Sequence, residues 1–186
     1  MSLITSVFIA TSLDGFIARA NGELDWLEAA NAAVPEGEDC GYAAFWESVD
    51  ALIMGRKTYD QVLSFGQWPY GNKPVVVLSR QVLKIPDSLV ATVSQSSESP
   101  QVIYERFAKA GAQRLYIDGG VTIQRFLAAG LIHDFTITVI PILLGTGIPL
   151  FNDLQQNIAL KHIDTKSYPF GFVQLTYEVQ EEKRDE

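Results

Sequence analysis

The chain has 186 residues and a hydrophobic content of 47%, enough to bury a core as a single domain. Its formal net charge of −8 argues against nucleic acid as the main partner, because phosphate backbones demand a basic surface. The lone Cys40 excludes an internal disulfide and cysteine-cluster metal sites. No apolar run approaches the ~18 residues that cross a membrane, and Met1 to Thr5 lack the basic start of a signal peptide, so a cytoplasmic, metal-free chain is expected.

Leu3 to Thr11 alternates and is β-rich, which predicts an N-terminal strand closed by the turn chemistry of Ser12-Leu13-Asp14-Gly15. Residues 16–24 form a loop around Asn21-Gly22. Asp25 caps a helix through Asn31, residues 34–39 make a polar connection, and Asp39 caps a helix from Cys40 to Ser48. Asp50 to Met54 is a strand, Arg56 to Phe65 a helix, and Pro74 to Ser79 a central strand by its apolar run. A strand over Leu89 to Val93 precedes an exposed serine-rich stretch, residues 94–100. Then come a helix over Gln101 to Ala110, a strand over Arg114 to Asp118 and a helix over Val121 to Ala129, the helices ended by Gly111 and Gly130. Asp134 to Ile140 is a strand. Ala159 to Lys166 and Phe172 to Gln180 close the chain as a hairpin, with a charged tail over Glu178 to Glu186. Helices separate the strands until late in the chain, where strand follows strand. The order predicts one α/β domain, a mostly parallel central sheet with helices on both faces and an antiparallel C-terminal hairpin.

Two strand-to-helix junctions carry the chemistry. In Leu52-Ile53-Met54-Gly55-Arg56-Lys57-Thr58-Tyr59 an apolar strand meets a glycine, two cations and a hydroxyl on the first helical turn. Free backbone N–H groups and the positive end of the helix dipole make such a junction an anion site. Leu115-Tyr116-Ile117-Asp118-Gly119-Gly120 repeats the device, and two such cradles in one small domain suggest a dinucleotide. Neither matches Gly-x-Gly-x-x-Gly, so the ordinary Rossmann fingerprint is absent.

Four segments in order, Ser12-Leu13-Asp14-Gly15-Phe16-Ile17-Ala18, Met54-Gly55-Arg56-Lys57-Thr58-Tyr59, Ile117-Asp118-Gly119-Gly120 and residues 141–151, resemble the RibD C-terminal family of the dihydrofolate reductase-like fold. The resemblance implies a reduced nicotinamide dinucleotide, NADPH, lying across the carboxyl ends of the strands. It assigns Gly55, Arg56, Lys57 and Thr58 to the pyrophosphate and adenosine side, Ser79 and Arg80 to the 2′-phosphate, and Asp118, Gly119, Gly120, Val121 and Thr122 to the other side of the pyrophosphate. It sets Ala10 and Ile17 beside the nicotinamide. It also implies pairing as a homodimer through the sheet edge and the C-terminal strands, with the apolar run Phe135 to Leu144 compatible.

Hydride transfer needs a proton donor, and Asp14 and Asp39 are the candidate catalytic carboxylates, each with an ordinary reading as a turn residue or a helix cap. Asp25 reads as a cap, and Trp26 as a wall of the substrate cleft. His133 and His162 read as surface residues, and Tyr59 as packing beneath its helix. The chain departs from dihydrofolate reductases in the insertion that follows Trp26. It departs from the bifunctional riboflavin enzymes in lacking the zinc deaminase half. The expected activity is an NADPH-dependent reductase resembling 5-amino-6-(5-phosphoribosylamino)uracil reductase, acting on a small heterocyclic or ribosyl-aminopyrimidine substrate. A dihydrofolate reductase proper and a non-catalytic dinucleotide-binding module remain open alternatives.

Overall fold

A computed structural model describes residues 2–152, 154 and 156–180. The strands are β1 (Ile4–Ser12), β2 (Phe16–Ala18), β3 (Ala51–Gly55), β4 (Val75–Leu78), β5 (Val93–Ser96), β6 (Arg114–Asp118), β7 (Asp134–Ile140), β8 (Ile148–Pro149), β9 (Leu160–Ser167) and β10 (Val173–Val179). The helices are α1 (Asp25–Asn31), α2 (Tyr42–Glu47), α3 (Arg56–Ser64), α4 (Pro100–Lys109) and α5 (Gly120–Ala128). The main sheet runs β5-β4-β3-β6-β1-β7-β10-β9, parallel from β5 through β7 and antiparallel at β10 and β9.

Alternation along the inner strands explains the two-sided packing. Ala51, Ile53, Val76, Leu115 and Ile117 face one layer, which Ile103 of α4 and Ile123 and Phe126 of α5 complete. Leu52, Met54, Val75, Val77 and Tyr116 face the other, covered by Tyr59 and Val62 of α3 and the aromatic face of α2. Tyr59 packs beneath its helix as expected and donates its hydroxyl to the Lys84 carbonyl at 3.3 Å. A smaller cluster of Trp26, Ile140, Tyr168 and Phe172 closes the β7 end. Parallel strands put the carboxyl ends of β4, β3, β6, β1 and β7 on one edge.

Several boundaries move for physical reasons. Residues 16–18 pair with 148–149 as a two-stranded ribbon, where a loop was expected; so short a strand has no periodicity to read. The strand expected over Leu89 to Val93 is a turn at Asp87–Leu89 followed by β5. Leu89 plugs the core from the turn, and only Val93 of the edge strand is buried, so the polar stretch can pair there. α2 begins at Tyr42 rather than Cys40, because Cys40 (φ 55°) and Gly41 (φ 84°) are left-handed. Asp25 is the first residue of α1 and makes no cap; its carboxylate forks with the Arg19 guanidinium at 2.6 and 2.9 Å. His133 is half-buried rather than a surface residue, with its Nδ1 3.1 Å from the Thr5 N–H and its ring stacked on Tyr104. His162 is exposed. The part of the charged tail beyond Gln180 lies outside the described residues.

Candidate active site

β3 and β6 are neighbours, with Met54 opposite Asp118, so the two glycine junctions sit side by side. Both helices that leave them start without a side-chain cap, so the first-turn N–H groups of α3 and α5 are left for a ligand. The junctions interlock. A methyl on Gly55 would stand 3.0 Å from Thr122 Oγ1, and one on Gly119 would collide with Thr58 Oγ1. Gly119 also holds φ 88°, a left-handed backbone that side chains resist. Each junction therefore needs its glycine because the hydroxyl of the other occupies the space. The cradle has backbone donors, two hydroxyls and nearby cations, a donor set that fits a dinucleotide pyrophosphate.

The other residues expected around it fall into place unevenly. Arg56 opens α3, bonds the Gln81 side chain and lies 3.5 Å from Asp60. Lys57 and Arg80 are exposed, and neither makes an ion pair among the described residues. Ser79 is tied into its own turn, its hydroxyl donating to the Gln81 carbonyl at 2.7 Å. Thr122 is buried under the cradle, whereas Val121 is 65% exposed and points away from the core. Ile17 lies against the start of α5, its Cδ1 3.0 Å from where a methyl on Gly120 would sit.

Next to the cradle, at the carboxyl ends of β1 and β7, lies a cleft of about 460 Å³. Ala10 lines it, with Phe8 from the same strand. Tyr42 and Phe172 supply aromatic walls, and Thr138 supplies a hydroxyl that accepts from the Gln174 amide at 3.0 Å. Trp26 does not line it. That ring is 2% exposed and packs behind the wall with Ile140 and Phe172, its indole N–H without a partner among the described residues, and Leu27 faces the cleft in its place. An amphipathic residue pair on a short helix gives no sequence signal for which member turns inward.

The two carboxylates chosen as proton donors serve the backbone. Asp14 accepts from the Leu144 and Gly145 N–H groups at 3.1 and 2.7 Å and from the Ser12 hydroxyl at 2.6 Å. The Ser12 bond leads in holding its carboxyl below the usual carboxylate range. Asp39 lines the cleft, but its oxygens accept from the Ala43 and Gly41 N–H groups at 2.8 Å each, and these bonds likewise hold it low. Holding a carboxyl low favours its ionised form, the opposite of what a proton donor needs.

Asp118 behaves in the opposite way. It ends β6 between cradle and cleft, and burial pushes its carboxyl up to about 6, opposed only by the N–H of Gly119 at 2.8 Å. Its charge is felt by Tyr42, Tyr70 and Tyr116, whose hydroxyls are raised chiefly by burial and secondarily by Asp118. The sequence marked Asp118 as part of a glycine motif; its half-buried position near Tyr42, Tyr70 and Tyr116, which lie far apart in the chain, is set by the fold.

The RibD C-terminal domain family matches residues 4–173. The uncharacterized protein YwjB of Bacillus subtilis (strain 168) is 35% identical over 176 residues, covering 93% of this chain and 96% of that protein. A crystal structure of a putative riboflavin biosynthesis protein from Shewanella sp. PV-4 superposes with a TM-score of 0.89 at 42% identity, covering 96% of this chain and 100% of the other. A Thermotoga maritima diaminohydroxyphosphoribosylaminopyrimidine deaminase/5-amino-6-(5-phosphoribosylamino)uracil reductase shares the fold at a TM-score of 0.68 and 13% identity, matching 96% of this chain but 57% of that one.

Proposed function

This chain belongs to the RibD C-terminal domain family, and on that premise we propose that it is an NADPH-dependent reductase of riboflavin-pathway type, acting on a heterocyclic or ribosyl-linked aminopyrimidine. The observation that carries this reading is the pair of interlocked, uncapped helix N-termini set beside an apolar cleft, with a neutral-capable carboxyl between them. The description of the Shewanella protein supports the riboflavin connection.

The first-turn N–H groups of α3 and α5, with Thr58 and Thr122, would hold the pyrophosphate, and Arg56, Lys57 and Arg80 would add charge on the adenosine side. When bound, the reduced nicotinamide supplies a hydride. Ala10 and Ile17 give its ring an apolar seat, and the walls of the cleft exclude water from the reacting face. Asp118 in its neutral form would give a proton to the nitrogen or oxygen of the substrate C=N or C=O bond and become the carboxylate. Asp14 and Asp39 are positioning residues, one fixing the loop after β7 and the other the start of α2.

We assign a cytoplasmic setting, and a homodimer paired through the far sheet edge, where every residue of β9 is exposed, including Leu160 and Ile163. Sedimentation velocity checks the pairing, with a monomer at micromolar concentration overturning it. The reductase reading is tested by titrating the protein with NADPH and NADH, following its tryptophan fluorescence. Micromolar binding that favours NADPH, followed by absorbance loss when aminopyrimidines are added, is the expected result. Tight binding without turnover of any acceptor would leave a dinucleotide-binding module, and no binding would end the reading.

A further inference from the structure

Charge is distributed unevenly around the cleft. Between Arg19 and Arg56 the chain carries eight carboxylate side chains and no lysine or arginine. That stretch folds into α1, the connection after it and α2, which form the outer wall. Glu38 and Asp39 stand in the lining itself, and no cation among the described residues does. The Cys40 N–H donates to Glu38 at 2.7 Å, and the two α2 amides hold Asp39, so both side chains are fixed in place at the rim.

Cations near this wall are committed to other groups. Arg19 is forked onto Asp25. Lys73 caps the far end of α2 through the carbonyls of Trp46, Glu47 and Val49. Lys166, which reaches toward Glu38 and Asp39 from β9, lies over the Tyr168 ring at 4.6 Å. Arg56, Lys57 and Arg80 stand at the cradle.

We infer that the substrate of this cleft is a phosphate-free nitrogen heterocycle, neutral or cationic, whose ring N–H or amino groups meet the Glu38–Asp39 rim. The inference rests on the reductase reading and narrows it: of the ribosyl-aminopyrimidine class, the members without a phosphate are the ones this wall admits. A phosphate needs guanidinium, ammonium or clustered backbone donors, and apart from the single Lys166 those lie at the cradle, where the dinucleotide takes them. A second phosphate at the rim would face two carboxylates beside Leu27, Val34 and Pro35. The volume of about 460 Å³ suits a small ring system with a short substituent.

The test is a matched pair of calorimetric titrations on the NADPH-loaded chain, with a 5-aminouracil riboside and its 5′-phosphate as probes. The riboside is expected to bind tighter by about tenfold or more, the direction set by like-charge repulsion. Glu38→Lys is expected to narrow that ratio to about threefold or less, or to invert it. A native chain that prefers the phosphate, or binds neither probe, overturns the inference, and this result needs no variant to fold. NADPH is titrated alone first. Failure there removes the reductase reading, whereas success there with the phosphate preferred removes only the substrate class.

Discussion

At its β3–β6 end the site is made of backbone, and at its β1–β7 end it is made of side chains. The cradle offers amide donors from two helix starts, and its cations are exposed. The cleft offers Phe8, Tyr42 and Phe172 as walls and carries carboxylates at its rim. The first end can accept the diphosphate of any dinucleotide, because backbone donors read charge and shape only. Chemical selectivity has to come from the second end. Asp118 stands at the boundary, and the desolvation that raises its carboxyl is a product of both ends.

The strongest way to break this division is Asp118→Asn. Turnover should fall by about 10²–10⁴-fold, the usual contribution of a positioned acid, while NADPH affinity stays within about threefold. In the native chain kcat should decline as pH rises through about 6, where Asp118 gives up its proton, and the asparagine variant should lose that limb. Stability should move the other way. The folded value of about 6 lies above the ordinary carboxyl value of 3.8, so folding is favoured by the bound proton and that stability is lost as pH rises from about 4 to 6. Above pH 6 the variant should be more stable than the native chain by about 1–3 kcal/mol in urea denaturation. Equal stability at pH 8 would mean the carboxyl is not desolvated.

Gly119→Ala should strike the cradle alone, weakening NADPH on the order of 100-fold by calorimetry through the left-handed backbone and the collision with Thr58. Arg56→Ala should weaken NADPH by about 1–3 kcal/mol, the range for a charged hydrogen bond, and unchanged affinity would remove Arg56 from the site. The smallest effect is expected for Asp14→Ala. It should lower Tm by freeing the Leu144–Gly145 backbone and leave the pH profile of kcat in place; a shifted profile would return Asp14 to the chemistry.

The same division explains what could be read from the sequence. Gly55 and Gly119 were legible because a strand, a glycine and a helix start are contiguous, and contiguity is all that a backbone cradle needs. Both faces of the sheet were legible from the runs Ala51–Met54 and Leu115–Ile117, which bury residues on alternate sides. The cleft was legible only at Ala10 and Asp39. Its lining comes from β1, Leu27, the 31–42 segment, β7 and Phe172, joined only by the fold. Of the three tryptophans Trp26 reads as the cleft wall, and the structure turns it into the core. Asp14 reads from its turn motif and Asp39 from its spacing before Gly55, yet the Ser12 hydroxyl with the Leu144 and Gly145 amides holds one carboxyl low and the Ala43 and Gly41 amides hold the other.

The sheet order also governs when the site can come into being. β1 precedes the other strands in the chain but lies between β6 and β7, and the Thr5 N–H meets His133 128 positions later. Cradle and cleft share that strand as a neighbour, so neither is complete until most of the chain has been made. Such distant pairing slows folding, and the first strand waits with its edges unpaired. A dinucleotide that binds only the finished cradle would draw late intermediates forward by mass action. Growth conditions rich in reduced cofactor should then raise the yield of folded chain, independent of any turnover.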